Sequence, residues 1–353
     1  MARFAQKSLR ERVRQEIITN RLIKSGDKII VALSGGPDSV CLLFILKEIQ
    51  AEIDFDLLAC HYNHRLREEE SDRDEAFVQK ICREWGIECI IGRAEKGGLY
   101  KNEDEARRAR YAFFRKILNE QGRGKVALAH NANDLAETVI LRLARGTGLR
   151  GLRSIPLRRE NYIRPLLSLS RTEIVSFLDK AGIAYRVDKS NFDIAIPRNY
   201  VRWRIMPELL HLNPNLIESM IAATKAIEDD YDFLEKIAQR AYAEVLILED
   251  DAKIYLDYKY WATLHLSLKR LVIRLALEKI GGTLTDISAK QIAEVVRVLS
   301  RGVGGKYKPL PHALRVGLQD GKIFIAKEEV TVDPDSPDQN LRPHSFQRKV
   351  RGR

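Results

Sequence analysis

Cysteine is scarce in this sequence, and long hydrophobic runs are missing. Four cysteines occur in 353 residues and no two form a C-x-x-C pair, which excludes a disulfide scaffold and favours a reduced, cytoplasmic protein. The longest apolar run, Val40 to Leu46, has seven residues. A transmembrane helix needs about 20, so we expect no membrane partner. The first residues are basic without an apolar stretch, so we also expect no secretory leader.

Acidic residues are fewer than basic ones. The chain has 60 Lys+Arg against 49 Asp+Glu, a net charge of +11. Between Arg142 and Arg171 there are eight arginines and one acid, Glu160. A guanidinium can bind phosphate oxygens through two hydrogen bonds. Clustered arginine therefore favours a nucleic acid as partner over a surface that is basic only for solubility.

Short β-branched runs alternate with amphipathic stretches in the first half of the chain. The predicted strands are Lys28–Leu33, Asp56–Cys60, Ile87–Ile91, Lys125–Ala129 and Tyr162–Arg164. The predicted helices are Asp38–Gln50, Ser71–Trp85, Asn102–Glu120, Asn133–Arg145 and Arg171–Ala181. This alternation is typical of an α/β fold with a doubly wound parallel sheet, here of five strands. In such sheets ligands bind beyond the carboxyl ends of the strands.

The pattern changes after Asn213-Pro214-Asn215. Helical periodicity extends over residues 216–300, and turn signals between short apolar runs predict a few strands over residues 301–330. Residues 331–353 are polar, contain three prolines and end in a basic run, which predicts a disordered tail. We therefore expect a first domain over residues 1–215, a helical domain, a small strand-containing portion and a tail.

The strongest local motif follows the first predicted strand. Its residues are Ser34, Gly35, Gly36, Pro37, Asp38 and Ser39. The glycines let backbone N–H groups approach a phosphate, the helix start adds positive dipole, and the serine hydroxyls can donate to phosphate oxygens. Asp38 beside a phosphate predicts a divalent cation, which we assign as Mg²⁺. A G-x-x-x-x-G-K-[ST] loop is absent from the sequence.

Further polar residues follow the second and third predicted strands. The segment HYNHRLR after the second strand is typical of a polar site wall. In the segment EDEARRARY, Arg107 and Arg110 are three residues apart and share a helix face. Phosphate or carboxylate binding and a solvated helix with Glu–Arg pairs explain these two arginines equally well.

The fourth predicted strand leads to His130 and then to two carboxylates, Asp134 and Glu137. The carboxylates are three positions apart, so both project from one face at a helix start, toward the same sheet edge as the SGGPDS motif. One acid there could simply be a partner of the helix dipole. Two beside a histidine predict a site for an ammonium group or a second metal ion.

The SGGPDS motif resembles that of the pyrophosphate-loop ATPases, which split ATP between the α- and β-phosphates. Further segments narrow the resemblance: HYNHRLR, EDEARRARY, AHNANDLAETVILRLARGTGLRGL, RPLLSLSRTEI and SNFDIAIPRNYVRWRIMPEL. They span about Lys28 to Asn215, and in this order they resemble tRNA(Ile)-lysidine synthetase. Where that family has His-His-x-Asp-Asp after the fourth strand, this chain has Asn131 in place of the second His.

The resemblance implies a reaction and a set of roles. ATP adenylates the wobble cytidine of the CAU anticodon of isoleucine tRNA, and the ε-amine of free L-lysine then displaces AMP to give lysidine. The resemblance implies ATP on the SGGPDS motif with Arg107 and Arg110, and Mg²⁺ on Asp38. It implies lysine on Asp134 and Glu137, with His130 also catalytic. The implied tRNA contacts are Arg145, Arg150, Arg153, Arg198 and Arg202. The helical domain over residues 216–300 is likewise implied to bind tRNA, and residues 301–330 are implied to be a small substrate-binding portion. Whether the chain forms a homodimer stays open.

Two other functions stay open on the sequence. A pyrophosphate-loop enzyme could thiolate tRNA, but the thiolating types rely on paired or clustered reactive cysteines, and this chain has no C-x-x-C. A non-catalytic RNA-binding protein would explain the basic charge. It would not explain the SGGPDS motif together with the carboxylate pair.

Overall fold

The computed structural model describes residues 8–66, 68–95, 100, 103–122, 124–187, 192–282, 284, 286–305 and 307–327. The chain divides into two compact units, Met1–Tyr231 and Asp232–Arg353, referred to below as the N-terminal and C-terminal units. The tail predicted over residues 331–353 lies outside the described residues. Among the described residues, no helix is long and apolar enough to cross a bilayer.

The N-terminal unit is built on a six-stranded sheet. Its strands are β1 (Lys28–Ala32), β2 (Asp56–Asn63), β3 (Cys89–Arg93), β4 (Gly124–Ala127), β5 (Arg158–Arg159) and β6 (Tyr162–Ile163). Their order is β3-β2-β1-β4-β6-β5, with every neighbouring pair parallel except β5 and β6. The predicted parallel α/β fold is confirmed. The sixth strand, β5, is an antiparallel edge of two arginines that carries no apolar run for sequence reasoning to detect.

Helices cover both faces of this sheet. They are α1 (Leu9–Thr19), α2 (Pro37–Ile53), α3 (Glu68–Glu84), α4 (Glu103–Glu120), α5 (Ala132–Ala144), α6 (Leu149–Leu152), α7 (Arg171–Lys180), α8 (Pro197–Tyr200), α9 (Met206–Leu212) and the start of α10 (Leu216–Val245). A π-helical turn, Val201–Ile205, joins α8 to α9. As its apolar sequence predicts, α2 is the most deeply buried, with Val40, Leu43 and Leu46 fully inaccessible.

The C-terminal unit is a five-stranded antiparallel sheet backed by helices. Its strands are β7 (Leu246–Glu249), β8 (Lys253–Asp257), β9 (Tyr307–Leu310), β10 (Leu314–Gln319) and β11 (Lys322–Lys327), in the order β7-β8-β11-β10-β9. Its remaining helices are α11 (Tyr258–Thr263), α12 (Leu266–Gly281) and α13 (Ala289–Leu299). Apolar residues of α12 and α13 form one core with the inner sheet face, which includes Ile254, Leu256 and Ile325.

Strands β7 and β8 depart from the sequence prediction, which assigned helical periodicity to residues 216–300. The apolar pattern of α10 continues into Leu246–Glu249, so the helix end is not visible in the sequence alone. Lys253–Asp257 alternates between exposed and buried residues. This strand is stabilised by β11, whose Ile323 and Ile325 stand opposite Leu256 and Ile254. Its partner is therefore about 70 residues away in sequence, too far for local periodicity to indicate.

Candidate active site

The strand order brings two loops together. The sheet reverses its direction of growth between β1 and β4, which are parallel neighbours. The residues after β1 and the residues after β4 therefore leave the sheet side by side at its carboxyl edge, which is where ligands bind in such folds. The SGGPDS motif follows β1, and His130 with the carboxylate pair follows β4.

The SGGPDS motif forms a tight turn held by its own hydroxyls. Ser39 Oγ lies 3.1 Å from both the backbone N and the Oγ of Ser34, and it donates to the Gly36 carbonyl at 3.0 Å. Gly35 has φ +87°, a left-handed conformation that favours glycine. Gly36 is the N-cap of α2 and Pro37 its first residue, one position before the predicted start at Asp38. The motif thus ends at the N-terminus of a buried helix, an arrangement suited to phosphate.

Asp38 faces the end of β4. Its Oδ1 accepts a hydrogen bond from Asn131 Nδ2 at 2.8 Å, and its Oδ2 accepts one from Arg171 Nη2 at 2.9 Å. Burial raises the pKa of Asp38, Arg171 opposes this, and the charge of nearby Asp134 raises the pKa further. A carboxylate that is largely buried and close to a second carboxylate is stabilised by any added cation.

These residues fit the predicted Mg²⁺. Mg²⁺ commonly takes one or two carboxylates, keeps several waters and shares the oxygens of a phosphate. Asp38 and Asp134 supply such carboxylates beside the phosphate-type turn. Within the described ranges no group of three or more His, Cys, Asp or Glu could hold a metal by itself, so the remaining ligands would be phosphate and water. When the metal and nucleotide bind, Arg171 would leave Asp38 and pair with the phosphate instead.

Asn131 has a role that sequence reasoning missed. It is fully buried and caps α5: its Oδ1 accepts from the Asp134 backbone N, and the Asp134 carboxylate accepts from the Asn131 backbone N, both at 3.0 Å. The same side chain also donates to Asp38. Asn followed three residues later by Asp before an apolar helix is a capping-box pattern that could have indicated this. Asn131, which stands in place of the family's second His, therefore links the segment after β4 to Asp38 after β1.

Asp134 and Glu137 lie together and are neutralised by two arginines. Arg198 donates to Asp134 Oδ1 at 2.9 Å and to Glu137 Oε2 at 2.8 Å, and Arg202 Nε donates to Glu137 Oε1 at 2.6 Å. The carboxylates are 8% and 1% exposed. Burial acts to raise the pKa of Asp134, but Arg198, the neighbouring His130 and the Asn131 N–H outweigh it and hold that pKa below its usual range.

The described polar atoms that are buried without a hydrogen-bond partner include His130 Nδ1 and Arg171 Nε. Burial, together with nearby arginines, lowers the pKa of His130 to about 4 although Asp134 opposes the shift, so the imidazole is neutral at pH 7. Buried polar groups are almost always paired in proteins, so each such atom is a candidate partner for a bound ligand, ion or water. Both atoms lie beside the phosphate-type turn and the carboxylate pair.

Arg107 and Arg110 do not converge on one point. Arg107 donates to Tyr111 Oη at 3.2 Å, with its guanidinium 4.9 Å from the centre of that ring, and it is close enough to lower the pKa of His130. Arg110 acts on the second strand's loop, where burial and then this arginine lower the pKa of His64 to about 4. Arg107 therefore acts on His130 after β4, and Arg110 acts on His64 after β2.

The five arginines expected to contact tRNA fall into two groups. Arg198 and Arg202 pair with the carboxylates and are 29% and 13% exposed. The others follow α5. Arg145 is exposed at its C-cap, Arg150 lies in α6, and Arg153 contacts Glu228 at 3.4 Å and the Tyr231 ring at 5.0 Å. Neighbouring Arg142 holds the loop itself, donating to the carbonyls of Gly151 and Ser154.

One further feature near the carboxylates was not detected in the sequence. Phe192 and Trp203 stack with ring centroids 5.3 Å apart and 22° between planes, and they are 57% and 44% exposed. Trp203 lies in the π-helical turn between Arg202 and Arg204. π-Helical turns are rare and frequently occur at functional sites.

The chain is similar to known proteins over most of its length. Residues 6–209 match the family model described as a PP-loop domain. A tRNA(Ile)-lysidine synthase of Clostridioides difficile (strain 630) is 32% identical over 327 residues, covering 91% of this chain and 71% of the relative. One from Dehalococcoides mccartyi (strain CBDB1) is 34% identical over 320 residues, covering 87% and 68%.

A solved structure supports the fold. The U34-tRNA thiolase NcsA from Methanococcus maripaludis with its [4Fe-4S] cluster matches with a TM-score of 0.53 and 21% identity, over 62% of this chain and 78% of that chain. At that identity the likeness shows the fold alone. The curated relatives carry the finer assignment, and the chain therefore belongs to the tRNA(Ile)-lysidine synthase family of PP-loop enzymes.

Proposed function

We propose that this protein ligates free lysine to the wobble cytidine of the CAU anticodon of isoleucine tRNA. ATP first adenylates the cytosine carbonyl oxygen, releasing pyrophosphate. The ε-amine of lysine then attacks ring carbon 2 and displaces AMP. The observation that carries the proposal is the meeting of a phosphate-type turn, Ser34–Ser39, with the buried carboxylates Asp134 and Glu137 at one sheet edge.

Each end of this edge suits one substrate. The N-terminus of α2 and the hydroxyls of Ser34 and Ser39 suit the pyrophosphate of ATP, with Mg²⁺ on Asp38. Arg107, Arg171 and the open Nδ1 of His130 can donate or accept at the triphosphate or the adenylate. Mg²⁺ supplies charge neutralisation at the phosphates, while the chain's own residues orient the nucleotide.

The carboxylate pair suits a cationic amine. It already binds two guanidinium groups, those of Arg198 and Arg202, through charge-assisted hydrogen bonds. Lysine binding requires at least one arginine to yield its place on Glu137 or Asp134. The displaced arginine can pair with a phosphate of the bound tRNA instead. The expected tRNA contacts of Arg198 and Arg202 therefore remain part of the proposal. One carboxylate then accepts the proton that the ammonium must lose before attack.

The thiolation alternative is disfavoured by the cysteines. Burial raises the pKa of Cys41 and Cys60 to about 12, so neither forms a thiolate at neutral pH. The Cys89 thiol lowers the pKa of Cys82, but Cys82 is 1% exposed and packed in the hydrophobic core. Sulfur transfer needs a thiolate that substrate can reach.

Three further expectations belong to this proposal. Arg145, Arg150 and Arg153 contact tRNA phosphates, and the protein works in the cytoplasm. The sheet edge described above does not require a homodimer.

The deciding experiment incubates the protein with ATP, Mg²⁺, labelled lysine and minor isoleucine tRNA, with elongator methionine tRNA as control. We expect label in the isoleucine tRNA and stoichiometric AMP. The proposal would be contradicted if neither RNA carried label although the protein still bound the purified tRNA.

A further inference from the structure

The outer face of the C-terminal sheet carries two half-buried aromatic side chains, Tyr255 and Phe324, and one exposed one, Tyr307. Along β8, Ile254 and Leu256 face the helices and are fully buried, so Tyr255 faces the opposite way and is half-buried. The same alternation places Phe324 of β11 on the outer face, between buried Ile323 and Ile325. Antiparallel sheets commonly cover one face with a core and leave the other to solvent.

The strand register aligns these aromatics in a row. Tyr255 pairs with Phe324, Phe324 with Gly317, and Gly317 with Tyr307. On the far side Leu248 of β7 stands opposite Tyr255. Directly paired side chains lie about 5 Å apart, so this row runs across all five strands. Gly317 supplies no side chain, which separates Phe324 from Tyr307 across one strand. Tyr307 is 53% exposed.

A groove of about 340 Å³ lies along this row, and its charged lining is basic. Its lining includes Lys253, Tyr255, Tyr307, Arg315 and Phe324. Lys253, Ala326, Arg315 and Pro309 form the adjacent row, so both cations flank the aromatics. The Arg315 guanidinium stands 5.6 Å from the centre of the Tyr307 ring. Among the described residues, no Asp or Glu lines the groove.

We propose that this outer face, called here the aromatic strip, binds an unpaired stretch of RNA by stacking bases on Tyr255, Phe324 and Tyr307. Aromatic side chains with flanking cations form the usual platform for single-stranded nucleic acid, because every base offers a π-face and every nucleotide a phosphate. A second copy of this sheet would bring Lys253 and Arg315 against their own like charges, which disfavours it as the occupant. RNA as the partner class rests on the proposed function, but binding to the strip needs neither ATP nor lysine.

The test uses the full chain and a fluorescent ten-nucleotide oligouridylate with a central 5-iodouridine. Ultraviolet cross-linking and peptide mapping should place the attached base on Tyr255, Phe324 or Tyr307. Tyr307→Leu should weaken oligonucleotide binding about 10-fold, in the range expected for one lost stack. Arg315→Gln should weaken it several-fold. Tyr307→Leu should weaken binding of a ten-base-pair RNA duplex much less than binding of the oligouridylate, because the bases of a duplex are not free to stack on the protein.

Matched controls separate the strip from general effects. Tyr260→Leu removes an aromatic side chain that is 43% exposed and lies outside the sheet, and Arg270→Gln removes an exposed cation of α12. Both should bind the oligonucleotide as the unchanged chain does, and Tyr307→Leu should keep its thermal midpoint. The proposal is overturned if cross-links fall only in residues 8–231, or if Tyr307→Leu and Arg315→Gln bind normally. It is equally overturned if Tyr307→Leu only dissolves a dimer. If lysidine formation fails while the strip still cross-links, the proposed function falls and the strip stands.

Discussion

The two sheets of this chain present their exposed functional side chains in different ways. In the parallel sheet both faces are covered by helices, and the polar residues lie beyond the strand ends where the next helix begins, as Asp38 and Asn131 do. In the antiparallel sheet one face is open, and Tyr255, Phe324 and Tyr307 lie on the strands themselves. The first arrangement can enclose reacting groups and exclude water, whereas the second offers an extended, open surface. Chemistry is therefore expected at the first sheet and recognition at the second.

Replacing Asp38 should have the largest effect, because it should abolish chemistry at the first sheet and leave RNA binding intact. Asp38→Ala loses the carboxylate proposed for Mg²⁺ and leaves Arg171 without its partner. Losing preorganised electrostatic stabilisation typically costs about 100- to 1,000-fold in rate, so AMP release should fall at least that far. Binding of tRNA and of the oligouridylate should persist. Glu48→Ala, an exposed position on the same helix, is the control. AMP release at a near-normal rate in Asp38→Ala would refute its role.

Changing the carboxylate pair should separate the two half-reactions. In Asp134→Asn and Glu137→Gln the lysine concentration needed for half-maximal rate should rise about 10- to 100-fold, since one charge-assisted hydrogen bond is lost. Adenylate formation should survive better, because it precedes lysine attack. Glu208→Gln, an exposed acid of α9, should leave both steps unchanged. Equal loss of both half-reactions, with lowered thermal stability, would mean that the acids only hold Arg198 and Arg202.

Acid should weaken the N-terminal unit through His130. Burial and nearby arginines lower its pKa to about 4, while an unfolded chain has a histidine pKa near 6.5. Between these values the unfolded chain binds a proton that the folded chain refuses, so stability is complete above about pH 6.5 and falls as pH drops toward 4. From pH 7.5 to 5 the thermal midpoint should drop by a few degrees more in the unchanged chain than in His130→Gln. In His211→Gln, a change at an exposed position, the thermal midpoint should fall as much as in the unchanged chain. If the midpoint of His130→Gln also fell by that amount, His130 would not be the group responsible.

The loop arginines should give the smallest effects. Arg145 is exposed, so Arg145→Ala should reduce the slope of log affinity for tRNA against log salt by slightly less than one unit. Arg153→Ala should reduce it less, because Arg153 already contacts Glu228 and Tyr231. Arg83→Ala, an exposed position on α3, serves as control. Unchanged slopes for Arg145→Ala, Arg150→Ala and Arg153→Ala would remove this loop from the tRNA interface.

Sequence reasoning succeeded where the structure depends on neighbours in the chain. The parallel α/β fold, a helix directly after the SGGPDS glycines and the three-residue spacing of Asp134 and Glu137 all follow from local pattern, because strand, turn and helix signals act within a few residues. The chain's place in its family was likewise indicated by contiguous segments. The edge strand β5 was missed because its two arginines carry no apolar run, and β7 because the apolar pattern of α10 continues into it. Strand β8 was missed because its partner β11 is distant in the sequence.

Tertiary structure alone decided which groups meet. Arg171 reaches Asp38 across 133 positions, and Arg198 and Arg202 reach Glu137 across 61 and 65. No periodicity links such residues, so the sequence assigned the last two arginines to tRNA and gave Arg171 no role. The aromatic strip likewise exists only through register, since pairing places Tyr255, Phe324 and Tyr307 in one row. Local sequence determined which chemical groups the chain carries and on which elements. Long-range packing and strand pairing determined their partners, because those contacts form only when distant segments bury their apolar faces together.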